Sequence, residues 1–114
     1  MFWNRSRSRV ADATPAEAHD GLTNGDGILV DVRERHEWSA GHAAGARHIP
    51  LGELPGRMDE LPKDRPVYLI CASGGRSRAA VDVLHKAGFA SPINVNGGTS
   101  AWQRSNLPME RADG

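Results

Sequence analysis

Apolar positions in this chain follow two patterns. Ile28-Leu29-Val30 and Val67-Tyr68-Leu69-Ile70 are short, uncharged runs. Runs of that kind suit strands buried on both faces of a parallel sheet. Ala80, Val81, Leu84 and Ala87 recur instead at helical spacing, as in a helix that packs one face on such a sheet. Taken in order, Val10-Ala11 is expected to form a short first strand. Thr14-Pro15-Ala16-Glu17 reads as a helix start: an N-cap threonine, a proline at the first helical position and a glutamate that closes a capping box. That helix should run to about Leu22 and stop at Asn24-Gly25. A second strand is expected over Ile28 to Val32, then a short helix from Glu34 to Ala40 closed by Gly41. A third strand over Ala46 to Ile49 ends at Pro50. Leu51 to Leu61 predicts one or two short helical turns broken by Pro55 and Pro62. The Val67–Ile70 strand leads into a helix over Ser77 to Ala87, with Gly88 as its natural stop. Ile93-Asn94-Val95 forms a fifth strand. Gly97-Gly98 opens a last helix carrying Ala101 and Trp102, ended by Leu107-Pro108. Alternating strands and helices predict an α/β fold with a mostly parallel sheet of about five strands and helices on both faces.

The segment between the Val67–Ile70 strand and the following helix carries the candidate chemistry. It begins with Cys71, the chain's one cysteine, and continues Ala72-Ser73-Gly74-Gly75-Arg76-Ser77-Arg78. In open α/β sheets, ligands bind at the carboxyl ends of strands. A tight turn feeding a helix N-terminus aims backbone N–H groups inward, and Gly74 and Gly75 permit the positive φ angles such a turn uses. The result is an anion nest deepened by the helix dipole. A thiol at such a place ionises readily, with pKa values of roughly 3.5–7.5 against about 8.5 when free. Arg76 and Arg78 add positive potential. The expected product is an accessible thiolate, whereas a cysteine after an apolar strand can also be a small buried hydrophobe. Asp31-Val32-Arg33 and Asn96-Gly97-Gly98 end other strands and should share that sheet edge.

Composition narrows the classes. Lysine plus arginine and aspartate plus glutamate balance at 14 each, so charge argues neither for nucleic acid nor for a membrane surface. A single cysteine excludes an intrachain disulfide and a multi-cysteine metal site. A thiol kept free fits a reducing compartment and hence the cytoplasm. The first nine residues are basic but no apolar core follows them, so neither a secretory signal nor a membrane span is expected. Residues 1–9 and 111–114 are expected to be flexible. His19, His36, His48 and His85 show no ligand spacing, and no metal is expected.

Four blocks together resemble a single-domain rhodanese, a sulfurtransferase. Leu29-Val30-Asp31-Val32-Arg33-Glu34 with Glu37-Trp38 resembles the family's first motif. Gly41-His42, Gly45-Ala46 and His48-Ile49-Pro50 resemble the second. Cys71 to Ser77 is similar to the active-site loop, and Asn96-Gly97-Gly98 with Ala101-Trp102 and Leu107-Pro108 to the closing motif. The likeness spans about residues 10–110. Ala43-Ala44 stand where the family often has isoleucine and proline, Thr99 replaces a bulkier apolar residue, and Asn106 stands where glycine is common.

The resemblance implies ping-pong sulfur transfer with no cofactor. Cys71 would take the outer sulfur of a donor such as thiosulfate and hold it as a persulfide. Cyanide, a thiol or a sulfur-carrier protein would then accept it. Ala72, Ser73, Gly74, Gly75 and Arg76 would form the loop that binds substrate and persulfide, with Arg76 on the anionic donor. Asp31, Arg33 and Ser77 would support it, Asp31 and Arg33 through a structural ion pair that could include Glu37. Arg78 is expected to be solvated, His42 to hold loop geometry, and Trp38 and Trp102 to pack. Two alternatives stand beside this. Cysteine-dependent phosphatases and arsenate reductases resemble a pattern with five residues between cysteine and arginine, but here four intervene. A binding or regulatory module would keep the fold without the chemistry.

Overall fold

The computed structural model describes residues 11–111; the expectations for 1–9, for Val10 of the first strand and for 112–114 lie outside them. Five strands form one sheet in the order β1-β6-β5-β2-β4, all parallel. They are β1 Asp12–Ala13, β2 Ile28–Asp31, β4 Arg47–His48, β5 Val67–Ile70 and β6 Pro92–Val95. The helices are α1 Pro15–Thr23, α2 Arg35–Ala40, α3 Leu54–Arg57, α4 Gly75–Lys86 and α5 Gly98–Arg104.

Strand periodicity explains the two-sided core. Side chains of successive strand residues point to opposite faces. Val30, Val32, Leu69 and Cys71 face one side, where Leu54 of α3 and Ala80, Val81 and Leu84 of α4 cover them. Leu29, Tyr68 and Ile70 face the other side, against Ala18 of α1 and Trp102 of α5. Each fully buried leucine or valine contributes roughly 1.5–3 kcal/mol. The uncharged runs of β2 and β5 are what two-sided burial requires.

Several boundaries differ from the sequence reading. The first strand is Asp12–Ala13, because β1 pairs with β6 in the register Asp12↔Asn94 and Ala13↔Val95. Thr14 caps α1 as expected: its hydroxyl accepts the Glu17 N–H at 3.1 Å, and the Glu17 carboxylate accepts the Thr14 N–H at 2.8 Å. Pro55 does not break a helix. It sits in the first turn of α3, where its missing N–H costs nothing. The α4 helix starts at Gly75, two residues before the expected Ser77. A small antiparallel pair was not foreseen: β3 His42–Ala43 and β7 Met109–Glu110. Two-residue strands have too short a pattern to be read from alternation.

Strand order locates the functional edge. From β2 the chain moves outward to β4, then returns to β5 on the other side of β2 and continues to β6. The carboxyl ends of β2 and β5 therefore flank a topological switch point, the usual ligand crevice of open α/β sheets. Cys71 follows β5 directly.

Thr99, buried at the start of α5, carries a side-chain hydroxyl with no hydrogen-bond partner. Thr99→Val keeps the shape and removes the unpaired group. It should stabilise the protein by about 1 kcal/mol, read as a higher urea midpoint at unchanged slope. A clear loss of stability would mean that the hydroxyl is partnered in solution.

Candidate active site

The Cys71 side chain sits at the N-terminus of α4. Its sulfur accepts the Gly74 N–H at 3.0 Å and lies 3.3 Å from the Ser77 hydroxyl. Backbone N–H groups of Ser77 and Ser73 also face it. The sulfur thus takes up donors that the first turn of a helix otherwise leaves unpaired. Gly74 makes the turn with φ 121°, a region closed to most side chains. Gly75 has no such role. It is the first residue of α4, and a Cβ there would meet nothing within 4 Å.

An accessible thiol was expected, but Cys71 is 1% exposed. Ser73 and Gly75 are the exposed residues at the rim. The inward position follows from strand alternation, which puts Cys71 on the same face as Leu69. It follows also from α5, whose first turn clamps the loop from behind. The N–H groups of Thr99 and Ser100 donate to the carbonyls of Cys71 and Ala72 at 2.8 and 3.2 Å. A Cβ on Gly98 would collide with both of those carbonyl oxygens. The second glycine of Gly97-Gly98 is therefore a close-approach residue. Burial raises the pKa of the Cys71 thiol. A hydrogen bond from the Ser77 hydroxyl, when it donates to the sulfur, together with those of the Ser77, Gly74 and Ser73 amides outweighs it, so the net shift is downward.

Arg76 has a partner the sequence reading placed elsewhere. Its two terminal nitrogens hold Glu37 of α2 at 2.7 and 2.9 Å. Asp31 and Arg33 pair without Glu37. Arg33 meets both Asp31 carboxylate oxygens at 2.8–3.0 Å and donates to the Gly41 carbonyl at 2.8 Å. Both residues are buried, and they tie the end of β2 to the turn after α2. The His48 ring nitrogen lies 2.7 Å from the Arg33 carbonyl. Trp38 is stacked between His42, at 3.4 Å, and His48, at 4.8 Å. Trp102 is fully buried and donates its indole N–H to the Pro108 carbonyl at 2.8 Å. Arg78 reaches Asp12 at 3.3 Å. Among the described residues, no cluster of three or more metal-ligating side chains occurs. Among the described residues, no helix is long and apolar enough to cross a membrane.

Two parts of the site went unread in the sequence. One is Glu37 as the arginine's partner, 39 residues away. The other is Asn94, 1% exposed on β6, which accepts the Ser77 hydroxyl at 2.5 Å. A polar residue in an otherwise apolar strand was the available signal, because buried amides need partners.

Arg76 holds the Glu37 carboxyl down at about 2, against an ordinary 4.5. A depressed carboxyl contributes stability above its unfolded value and loses it as pH falls through the folded one. The pair should therefore be fully stabilising above about pH 4.5 and lost as pH falls toward 2. Glu37→Gln should flatten urea stability across that window. An unchanged acid slope would show that other carboxyls dominate it.

Comparison with known proteins gives the family and the fold. The family model for the rhodanese-like domain matches residues 14–105. A protein named sulfurtransferase from Allochromatium vinosum is 39% identical over 89 residues, covering 78% of this chain and 83% of the relative. The thiosulfate sulfurtransferase GlpE of Glaesserella parasuis is 34% identical over 99 residues, covering 87% of this chain and 92% of that one. The crystal structure of a rhodanese-related protein from Thermoplasma volcanium matches with a TM-score of 0.79 at 30% identity, over 88% of this chain and 97% of the other. The chain belongs to the rhodanese-like domain family.

Proposed function

We propose that this protein is a sulfurtransferase that carries sulfane sulfur on Cys71. The observation that carries the reading is the Cys71 sulfur seated at the N-terminus of α4, with the Gly74 N–H on it at 3.0 Å. The Cys71 thiolate attacks the outer sulfur of thiosulfate. A new S–S bond forms, and the bond to the sulfonate sulfur breaks with its electron pair, releasing sulfite. The three negative charges of thiolate and thiosulfate reappear on persulfide and sulfite, so no proton or electron is needed. In the second half, cyanide or a thiolate attacks the terminal persulfide sulfur and Cys71 leaves as thiolate. With cyanide the product is thiocyanate.

Loop amides supply the electrostatic support, because fixed dipoles in a dry site cost no reorganisation as charge moves. The loop Ala72-Ser73-Gly74-Gly75-Arg76 surrounds the transferred sulfur, and Asp31-Arg33 holds the neighbouring strand end. A buried sulfur favours donors that present the reacting atom at a narrow tip, as the terminal sulfur of thiosulfate does. A thiol or a sulfur-carrier protein with an extended tail meets the same requirement as acceptor. A single reduced thiol suits the cytoplasm.

Arg76 acts on the donor in competition with Glu37. Arg76→Ala should raise the KM for thiosulfate by about one to two powers of ten, the loss of a charge-assisted contact of roughly 1.5–3 kcal/mol. Glu37→Gln releases the guanidinium and should lower that KM. Equal KM values in both variants would remove Arg76 from donor binding.

Intact mass after incubation with thiosulfate tests the reading itself. The wild-type protein should gain one sulfur, reversed by cyanide, and Cys71→Ser should gain none. No adduct on a thiol that still alkylates readily would turn the reading toward another sulfur donor or oxyanion chemistry. No adduct on an inert thiol would favour a binding module.

A further inference from the structure

A hydrogen-bonded chain runs from the edge of the sheet to the sulfur, and its directions can be assigned atom by atom. The Asp12 carboxylate only accepts hydrogen bonds. It therefore fixes the Asn94 amide, which donates from Nδ2 to Asp12 at 3.0 Å. Parallel pairing makes this contact possible, since Asp12 and Asn94 are register partners of β1 and β6. With Nδ2 committed to Asp12, the Asn94 Oδ1 faces Ser77. The Ser77 hydroxyl lies 2.5 Å from that oxygen, 3.2 Å from the Gly74 carbonyl and 3.3 Å from the Cys71 sulfur. Asn94 and Ser77 are both buried, so water does not settle the competition.

A serine has one hydroxyl proton. Two of its three neighbours, the Asn94 and Gly74 oxygens, are pure acceptors, and the shortest contact is to Asn94. The Ser77 lone pairs then face sulfur, where they accept the S–H of a neutral thiol. They cannot stabilise a thiolate. For the hydroxyl to join the amides in stabilising the thiolate, its proton must swing from Asn94 to sulfur, which leaves the buried Asn94 Oδ1 without it.

We propose that Asn94, oriented by Asp12, is a positioning residue for Cys71. It claims the Ser77 proton in the resting protein, and the hydroxyl adds to the amides' stabilisation of the Cys71 thiolate only as Ser77 turns that proton to sulfur. This rests on the reading of Cys71 as the nucleophile. The effect is to withhold one hydrogen bond from the sulfur at rest and to make its fuller activation depend on a hydroxyl rotation governed from β1 and β6. The charged groups that face the sulfur and this chain are Arg76, which is held by Glu37, and Asp12, which is held by Arg78 at 3.3 Å. None of them needs to change charge for the hydroxyl to turn.

The test is the pH profile of Cys71 alkylation by iodoacetamide. Asn94→Leu removes the competing acceptor. Asp12→Ala removes the group that orients Asn94, so the amide is free to reverse, with Oδ1 toward Arg78 and Nδ2 donating to Ser77. Each change should lower the alkylation midpoint by about one pH unit, a tenfold change in the ionisation constant. Ser77→Ala should raise it. In the Ser77→Ala background neither Asn94→Leu nor Asp12→Ala should move the midpoint further. Wild-type midpoints in both single variants would overturn the proposal. So would an Asp12→Ala shift that persists without the Ser77 hydroxyl, since that would be the direct effect of a lost charge. If Asn94→Leu does not fold, Asp12→Ala on the edge strand carries the test. Thiosulfate labelling of the same proteins separates the two readings. Shifted midpoints with no sulfur uptake would sink the sulfurtransferase reading and leave the positioning role. Sulfur uptake with unshifted midpoints would do the reverse.

Discussion

A buried sulfur at a helix N-terminus is the constraint on which this site depends. Removing a thiolate from water is costly, and only donors already in place can offset that cost. The first turn of α4 supplies them, because its amides have no partners within the helix. Each neighbouring feature keeps that turn aimed at Cys71. Gly74 bends the chain so that its own N–H reaches sulfur. The first turn of α5 grips the Cys71 and Ala72 carbonyls from behind, and Gly98 lets it come close enough to do so. The parallel order of β6, β5 and β2 puts these elements on one edge.

The electrostatics differ from the picture of an arginine-lined anion pocket. Arg76 is held through both terminal nitrogens by Glu37. One Glu37 oxygen also accepts the Glu34 N–H at 2.9 Å, so the carboxylate is anchored to the start of α2. A paired arginine projects a weaker field into the loop than a free one. Positive potential at the sulfur therefore comes mainly from backbone dipoles. Dipoles of this kind act over a short range and in fixed directions. They suit the charge of a single sulfur atom at a fixed place better than an oxyanion whose charge is spread over several oxygens.

Much of this was legible in the sequence, for identifiable reasons. The β2 and β5 runs are apolar on both faces, and Thr14-Pro15-Ala16-Glu17 is a helix start written in local chemistry. Such signals lie within a few residues and survive without tertiary context. The cysteine loop was legible because glycines and a following helix mark a turn that exposes amides. Glu37 was misassigned to the Asp31–Arg33 pair because chain proximity favoured it, whereas the fold brings α2 against the start of α4. Depth was misjudged for a similar reason. A loop residue is ordinarily exposed, but Cys71 continues the alternation of β5 and points into the core. The β3–β7 pair joins residues so far apart, and so briefly, that no periodicity could announce it.

Ser77 shows how one atom can carry both structure and chemistry. Its hydroxyl belongs to α4, touches the sulfur and is held by an asparagine from β6. A purely structural serine would need one acceptor, and here two oxygens, joined by the sulfur once it ionises, compete for one proton. Buried polar networks of this kind are costly when partly satisfied, so their persistence calls for a reason beyond packing. The reason offered by the geometry is that sulfur changes its demand during the cycle. It is a donor as a thiol and an acceptor as a thiolate or persulfide. A hydroxyl that can accept from the first and donate to the others serves every state without moving the backbone. Asn94 then decides which state the resting protein prefers, from a strand that forms no part of the loop itself.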